Sequence, residues 1–560
     1  MCQLCAALSV APQVCPYEST GYEIATLPQE NDNVMGLQQA DVATVVQYQS
    51  VVSKAELGLV AEASTAITTV PMRISLTASE LELVSAMNTL FEEYFSTRMP
   101  AAVVVVEPER ELRVDYLGSF LPANLTGPLT SIDWGWQVAD QNPDTPSTDI
   151  NVYFHADFDT VVDPYYPADG LDNQSWTAAE IAAATDVLER FENVIDINFV
   201  VVDDLIDADF VMLTYYDPDA GDLGFFGLSD RVIRVDGVEY DVNGYGAFNI
   251  NGYGWSDEGL QPGGYGHTTI THEIGHGLGL GHPHDTSGGA TTIMDGVTSP
   301  FDDYGDYSLN QGIWTVMSYN DGWPEGPHGL SASEFYGHGA GPMALDIAVL
   351  QDTFGANTSF AGGDDIYYLP SRNDIGTSFQ AIWDTGGTDT IAASDDRGVH
   401  IDLTPASLDY SATGGGAVSY ARGIIGGFTI ANGVVIENAV GGSGEDTLIG
   451  NAADNVLSGN NGNDTLDGRG GNDTLEGGAG QDTFVFSQIG GADSNFDVIV
   501  DFNISDDTLQ LDALGINNLS DFYGVASETG ADVFVFVDTN NTLTIENITI
   551  TQLSDDIAFV

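Results

Sequence analysis

Five consecutive nonapeptides constrain the fold of this chain more than any other feature. They begin at Gly441 and read GGSGEDTLI, GNAADNVLS, GNNGNDTLD, GRGGNDTLE and GGAGQDTFV. Each has glycine in its first position, aspartate or asparagine in its sixth and an apolar residue in its eighth. Such a short, strict period indicates a stack of similar turns joined by short strands. The sequence therefore predicts an all-β parallel roll in the C-terminal part of the chain.

The same repeats predict calcium binding. Glycines permit a tight turn whose carbonyls face a cation, the aspartates add anionic oxygens, and oxygen-only ligands select calcium. The predicted ligands are the first, third and sixth residues of each repeat: Gly441, Ser443, Asp446, Gly450, Ala452, Asn455, Gly459, Asn461, Asp464, Gly468, Gly470, Asp473, Gly477, Ala479 and Asp482. Since Asn455 replaces an aspartate, we expect its site to be weaker. The alternative, a flexible Gly/Asn linker, does not explain apolar residues at one phase of every repeat.

A second motif, H-E-x-x-H-x-x-G-x-x-H, predicts a zinc site. On a helix His272 and His276 share one face, and Gly279 can end that helix in a left-handed conformation that brings back His282. Three histidine nitrogens and one open position are typical of a catalytic zinc. Glu273 lies beside the first ligand and can take a proton from water. The alternative is an amphipathic helix with incidental histidines, for which most of these residues are poor choices.

The segments around this motif resemble one family. Residues 314–319, WTVMSY, follow the third histidine and resemble the Met-turn of the metzincin metalloproteases. Pro283 directly after that histidine and the M-S-Y ending are similar to the serralysin branch, and so are residues 341–357. The repeats are similar to those of RTX proteins. The resemblance covers roughly residues 130 to 560.

The resemblance implies a fold and a domain order. The expected fold class is an α+β metzincin catalytic domain, with a mixed twisted sheet and an active-site helix, followed by the all-β parallel roll or β-sandwich. The predicted boundaries are 1–125 for an N-terminal extension, 126–355 for the catalytic domain and 356–560 for the RTX domain. Within the catalytic domain, the residue pattern predicts the following elements: strands at 150–154, 197–202, 208–214, 223–228 and 246–253, and a helix at 177–194 with Ile181, Ala184, Val187, Leu188 and Phe191 inward.

The resemblance also assigns further site residues. It makes Tyr319 an additional zinc ligand that can swing away and stabilise the transition state, and makes residues 223–228 the edge strand that pairs with substrate. Two flanking segments are similar to serralysin calcium sites; their predicted ligands are Asp384, Gly386, Asp389, Asp501 and Asp507, with Asp497 nearby. His284 stands where the family usually has glycine. It can compete for metal, lie behind the zinc ligands or lie on the surface.

The charge of the chain excludes several partners. A total of 84 acidic residues against 12 basic ones gives a net charge of -72, which repels nucleic acid and anionic membranes. We expect no membrane insertion and a monomer. The charge attracts divalent cations, and the expected ions are one catalytic Zn2+ and several structural Ca2+.

The N-terminal extension carries the chain's three cysteines, Cys2, Cys5 and Cys15. A capping box at Thr77 predicts a helix to about Phe95, and residues 101–106 resemble a strand. The extension is a candidate pro-segment, in which case the protein is a zymogen. One hypothesis is that a thiolate closes the zinc site before cleavage. The alternative is free thiols or a pair used elsewhere.

These features predict a secreted zinc endopeptidase that hydrolyses peptide bonds in proteins. The start of the chain lacks the pattern of a secretory signal peptide. The last residues, 555–560, resemble the C-terminal address read by type I secretion machinery. One rival is an RTX adhesin or matrix protein with a vestigial protease domain, which the intact Glu273 disfavours. Another is an RTX lipase, which lacks support because no G-x-S-x-G occurs.

Overall fold

The structure is a computed structural model. It describes residues 125–133, 148–155, 173–218, 223–235, 238–286, 292–487, 495–512, 515–553 and 557–559. Five predictions lie outside those residues: the helix at 77–95, the strand at 101–106, the three cysteines, Asp555 and Asp556, and Val560. Within the described residues, no helix is both long and apolar enough to cross a bilayer.

The first part of the described chain combines six strands with three longer helices. The strands are β1 Thr148–Phe154, β2 Asn173–Gln174, β3 Ile197–Val201, β4 Phe210–Tyr215, β5 Gly224–Val235 and β6 Val238–Asn249. The helices are α1 Ala178–Glu192, α2 Tyr265–Gly277 and α3 Ala344–Phe354, with 3-10 turns at Gly127–Ser131, Leu205–Asp207 and Asp306–Ser308.

These strands form one mixed sheet in the order β3-β1-β4-β6-β5, with β2 paired to β4. Strands β3, β1, β4 and β6 run parallel, and β5 returns antiparallel to β6. The mixed sheet expected from the sequence is therefore present, and the predicted edge strand lies at its edge. The predicted bounds of these two strands were wrong: β5 runs on to Val235 rather than Leu228, and β6 spans Val238–Asn249 rather than 246–253.

Helix α1 begins at the predicted position, directly after Thr177. The Thr177 side chain accepts a hydrogen bond from Glu180 N, and the Glu180 side chain accepts one from Thr177 N, which closes a capping box. Val187, Leu188 and Phe191 are buried in the main core. The prediction that Ile181 faces inward was wrong: it is 36% exposed.

The C-terminal region is a pair of nine-stranded, mainly parallel sheets with few helices. Its strands are β7 Ile366–Tyr368, β8 Phe379–Ile382, β9 Thr390–Ala392, β10 Val399–Asp402, β11 Ser419–Ala421, β12 Gly427–Ile430, β13 Asn438–Val440, β14 Thr447–Ile449, β15 Val456–Ser458, β16 Thr465–Asp467, β17 Thr474–Glu476, β18 Thr483–Ser487, β19 Asn495–Ile499, β20 Thr508–Asp512, β21 Ala526–Thr529, β22 Asp532–Phe536, β23 Asn541–Ile545 and β24 Ile557–Phe559. Its helices are α4 Leu519–Val525 and α5 Ile550–Leu553.

Successive nonapeptides place their strands in opposite sheets. Leu448, Leu466 and Phe484 are therefore aligned in one sheet at a spacing of two repeats, and Leu457 and Leu475 are aligned in the other. All five side chains are buried. The eighth-position residues thus fill the space between the sheets, which confirms the predicted parallel roll and its inward apolar phase.

Candidate metal centre

Helix α2 brings two of the motif histidines to one point. His272 Nε2 lies 3.1 Å and His276 Nε2 lies 3.0 Å from His282 Nε2. Nitrogens that bind one tetrahedral zinc at about 2.0–2.1 Å are about 3.3 Å apart. The three rings therefore have the spacing of ligands around a single ion.

Backbone carbonyls determine which nitrogen carries the proton in two of these rings. His272 Nδ1 lies 2.9 Å from Val316 O, and His276 Nδ1 lies 2.8 Å from Leu280 O. A carbonyl only accepts, so each Nδ1 carries the proton and each Nε2 keeps its lone pair for a metal. Burial lowers the pKa of His272 to about 4, and burial lowers the pKa of His276 as well. Both rings are thus neutral near pH 7, as a metal requires.

The chain reverses after α2 at Gly279, which has φ +99. A side chain at that backbone angle is strained, so the turn favours glycine. Beyond it Gly281 N donates to Ile132 O at 2.8 Å, which anchors the segment that returns His282. The predicted helix end and reversal are both present.

The segment beneath the histidines is held by a buried carboxylate. Asp346, near the start of α3, accepts from Thr315 Oγ1, Val316 N and Met343 N at 2.6–2.9 Å. Desolvation raises the pKa of Asp346 to about 6. Since Val316 O accepts from His272, Asp346 helps to position the ring of this candidate zinc ligand through one intervening residue. Sequence analysis missed this role, although a capping aspartate at the start of a helix is a recognisable signal.

Met317 forms the floor of the site. It is fully buried, and a Cβ added to Gly275 in α2 would lie 3.0 Å from its sulfur. The segment that contains Met317 therefore packs against the last turn of α2.

Glu273 lies between the histidines and the sheet edge. Its side chain is 7% exposed, and its Cγ would lie 3.1 Å from a Cβ added to Gly224, the first residue of β5. Strand β5 is the last strand of its sheet, so one of its backbone edges has no strand partner among the described residues. A carboxylate is thus placed beside the end of an open strand edge.

Tyr319 lies over the open side of the histidines. Its ring centroid is 4.7 Å from that of His282 and 4.5 Å from that of His284. Desolvation, with the charges of Glu273 and Asp285, raises the pKa of Tyr319 to about 12. The phenol therefore keeps its proton throughout the neutral range. Its side chain is 41% exposed, which leaves it room to move.

The aspartates of the repeats form ladders along the roll. One oxygen of Asp464 accepts from Asp446 N, one of Asp482 accepts from Asp464 N, and one of Asp473 accepts from Asn455 N, all at 2.8–2.9 Å. The second oxygens of Asp464, Asp473 and Asp482 are buried and have no hydrogen-bond partner within the described residues. A buried anionic oxygen without a partner is costly unless a cation binds it.

Glycine carbonyls face the same spaces. A Cβ added to Gly459 would lie 2.5 Å from Asp464 Oδ2 and 2.7 Å from Gly477 O. A Cβ on Gly441 would meet Asp446 Oδ2 and Gly459 O in the same way. A side chain at the first position would clash with these oxygens, so glycine is required there. A group of oxygen donors without nitrogen or sulfur is what calcium prefers. The other predicted ligands, at the third positions, lie between the named strands: Ser443, Ala452, Asn461, Gly470 and Ala479. Two of them, Asn461 and Ala479, pair with each other in an isolated β-bridge.

The second repeat differs, as its sequence suggests. Asn455 Oδ1 accepts from Asn451 N at 2.8 Å, and its Nδ2 donates to Glu437 O at 2.9 Å. Asp446 accepts hydrogen bonds on both oxygens in a similar way, from Val399 N and Gly442 N, so the difference at Asn455 is the missing negative charge. The weaker site expected there stays a prediction.

A separate acidic cluster lies at the start of the C-terminal region. Asp384 and Asp389 come together with Asp365, which sequence analysis missed. Asp384 Oδ1 accepts from Gly386 N, and Asp389 Oδ2 is buried without a hydrogen-bond partner within the described residues. Desolvation raises the pKa of Asp389 to about 6. The signal that could have identified Asp365 is its G-G-D-D context, which resembles the start of a repeat.

The carboxylates after the last repeat accept hydrogen bonds from backbone N–H groups. Asp501 accepts from Gly477 N and Gly478 N, and Asp507 accepts from Asp482 N and Asn503 N. Asp497 accepts from Asp473 N and continues one of the ladders. These residues close the end of the repeat stack, and their role as calcium ligands remains a prediction.

Known proteins match this chain over part of its length. Residues 353–558 match the family model described as Peptidase M10 serralysin C terminal. Serralysin C from Dickeya chrysanthemi is 43% identical over 286 residues, which is 48% of this chain and 54% of that protein. Serralysin from Photorhabdus laumondii is 32% identical over 297 residues, 50% of this chain and 56% of that protein. The chain thus spans about half the length of these curated relatives.

Among solved structures, the extracellular lipase LipA from Serratia marcescens matches 36% of this chain and 38% of its own, with 18% identity and a TM-score of 0.16. A score this low supports no conclusion about fold or activity. The chain is therefore similar to the serralysin-type metalloproteases over about half of its length, and its residues 353–558 match the peptidase M10 serralysin C-terminal family.

Proposed function

We propose that this chain is a secreted, calcium-stabilised zinc endopeptidase with a metzincin-type catalytic domain. The observation that carries the proposal is the convergence of three histidine Nε2 atoms beside Glu273 and an open strand edge. His272, His276 and His282 would hold the zinc, and Tyr319 would be an additional ligand. When bound, zinc polarises the scissile carbonyl and acidifies a water molecule.

The remaining steps belong to the side chains of this protein. An extended substrate pairs with the free edge of β5, which reads backbone more than side chains. Glu273 takes the proton of the attacking water and later gives it to the leaving amine. Tyr319, protonated at neutral pH, donates a hydrogen bond to the oxyanion as it forms. Met317 shapes the floor and takes no part in the chemistry.

The C-terminal roll would be stabilised by calcium and would carry the address for type I secretion. The unpartnered oxygens of Asp464, Asp473 and Asp482 support the calcium sites. Protein substrates and the export machinery are the proposed partners, and the extracellular medium is the proposed location. The extension would be removed to give the active form.

The test is casein hydrolysis by the full chain in excess calcium. We expect a zinc-selective chelator to abolish hydrolysis and added zinc to restore it. Glu273→Gln should retain zinc, because the histidines remain, and lose at least about 10²–10⁴-fold in activity, because the water loses its base. Glu258→Gln, at an exposed position that precedes α2, is the matched control. Zinc-independent hydrolysis, or full activity of Glu273→Gln, would refute the proposal; a zinc-loaded chain without peptidase activity would favour the adhesin.

A further inference from the structure

The residues directly after the third histidine form a second group with metal-ligand spacing. His282, His284 and Asp285 each offer a ligand atom, and these atoms lie within 4.8 Å of one another. His282 Nδ1 and His284 Nε2 are each 3.5 Å from Asp285 Oδ2. This distance is too long for a good hydrogen bond. It matches the separation of about 3.3 Å between two ligands of one tetrahedral ion.

Hydrogen bonding does not account for the placement of these rings. The His284 side chain is only 6% exposed, and its Nδ1 has no hydrogen-bond partner within the described residues. His282 Nδ1 is likewise buried and without a hydrogen bond there. The two rings stack at 14° with centroids 4.9 Å apart. Of these two atoms, His282 Nδ1 faces Asp285, so an ion bound between them would supply the partner that this buried nitrogen lacks within the described residues.

We propose that His282, His284 and Asp285 form a second transition-metal site beside the catalytic one, with the His282 ring bridging two ions through Nε2 and Nδ1. Two imidazoles and one carboxylate suit zinc rather than calcium or magnesium. The His282 Nδ1 proton passes to solvent when the second ion binds, so the bridge is an imidazolate. The inference rests on the proposed zinc site, because His282 serves both ions.

The second ion would affect catalysis through Tyr319. The Tyr319 ring lies 4.5 Å from His284 and 4.7 Å from His282, so an ion between those histidines lies close to the phenol. It would also withdraw electron density from His282 and restrict the movement of Tyr319. The site is therefore inhibitory: zinc above one equivalent lowers peptidase activity.

Zinc counting tests the site directly. The full chain, in excess calcium to fill the acidic sites, is stripped with a zinc-selective chelator, dialysed against zinc and analysed by atomic absorption. We expect two zinc ions per chain. His284→Gly and His284→Gln should each retain one and bind further zinc at least about tenfold more weakly. His328→Gln is the matched control and should retain two, because His328 Nε2 accepts from Gly423 N away from this group.

A spectroscopic measurement does not depend on activity. With copper(II) in both positions, an imidazolate bridge couples the two unpaired electrons, and the electron paramagnetic resonance signal of isolated copper is lost at low temperature. The His284 variants should show the ordinary signal of one copper. Thermal melting of each variant confirms that it is folded before its metal is counted.

The outcomes separate this inference from the proposed function. A parent chain that binds only one zinc overturns the second site and leaves the peptidase intact. Two ions that persist in both His284 variants place the extra ion elsewhere and also overturn it. A parent that binds no zinc at all refutes the proposed function with it. Excess zinc should inhibit the parent and the His328 control more strongly than the His284 variants.

Discussion

At the scale of single residues, Tyr319 is the proposed oxyanion donor. Its pKa of about 12 means that it keeps its proton and can donate a hydrogen bond throughout the neutral range. We predict that Tyr319→Phe lowers kcat by about 10²-fold with little change in KM, because one oxyanion donor is lost. Steady-state kinetics on a short peptide measure this, with the exposed Tyr307→Phe as control. A wild-type kcat would remove Tyr319 from the mechanism.

Asp346 is a positioning residue with no access to substrate. Asp346→Ala leaves Thr315 Oγ1, Val316 N and Met343 N without their acceptor. Unpaired buried donors cost about 1–3 kcal/mol each, so we predict a loss of about 3 kcal/mol or more in unfolding free energy. Zinc affinity should also fall by about 10–100-fold, because Val316 no longer holds His272 firmly.

The control for that prediction is Asp352→Ala on the exposed side of α3. Chemical denaturation and zinc titration give the two quantities separately. A variant that is less stable but binds zinc normally would show that Asp346 holds only the helix.

At the scale of elements, the roll is expected to respond to protons when calcium is absent. Desolvation raises the pKa of Asp464 to about 7, of Asp473 to about 9 and of Asp497 to about 7. An unfolded aspartate has a pKa of about 3.9. Without calcium, the folded state therefore binds more protons than the unfolded state between those values, and its stability falls as pH rises.

We predict that, in chelator, the small folded fraction of the roll increases as pH is lowered from about 9 to about 7, which circular dichroism measures. In this range unfolded histidines take up few protons, so most of the effect belongs to the carboxylates. In excess calcium the dependence should largely vanish, because bound ions keep the carboxylates ionised. The Glu273→Gln chain avoids self-digestion during the scan. A folded fraction that decreases on acidification in chelator would contradict the raised pKa values.

The elements also show what the sequence could and could not predict. The roll was predictable because each nine-residue repeat contains both the glycines and aspartates that form the turn and the apolar eighth residue that is buried. The convergence of His272, His276 and His282 was predictable because helix geometry and the turn at Gly279 determine it locally. The length of β5 was missed, although Asp236-Gly237 between β5 and β6 is a common hairpin signal. Asp365 was missed because its partners, Asp384 and Asp389, are brought to it only by the fold.

At the scale of the whole molecule, charge and folding are coupled. A net charge of -72 and rows of buried aspartates oppose compaction unless cations are present. We predict that residues from about 360 to 560 are largely disordered in excess chelator and fold when calcium is added, so that binding energy appears as folding energy. Circular dichroism and hydrogen exchange of the Glu273→Gln chain, titrated with calcium, provide the measurement.

Magnesium is the informative control for that titration. It demands tight octahedral geometry and gives up water reluctantly, so it should substitute poorly at equal concentration. Protected amides in β14 to β18 in excess chelator would contradict the prediction. Equal folding by magnesium would show that charge neutralisation alone is sufficient.

The aspartate ladders give the roll a direction. Asp507 accepts from Asp482 N, Asp482 from Asp464 N and Asp464 from Asp446 N, so each amide relies on a carboxylate that comes later in the chain. Replacement of a later aspartate therefore removes the hydrogen-bond acceptor of an earlier turn. Replacement of an earlier aspartate leaves the side-chain acceptors of the later turns in place. Each turn of the stack therefore depends on a carboxylate from a later part of the chain. A chain that ended before Asp507 would lack the acceptor of Asp482 N and would be less stable at that end of the roll.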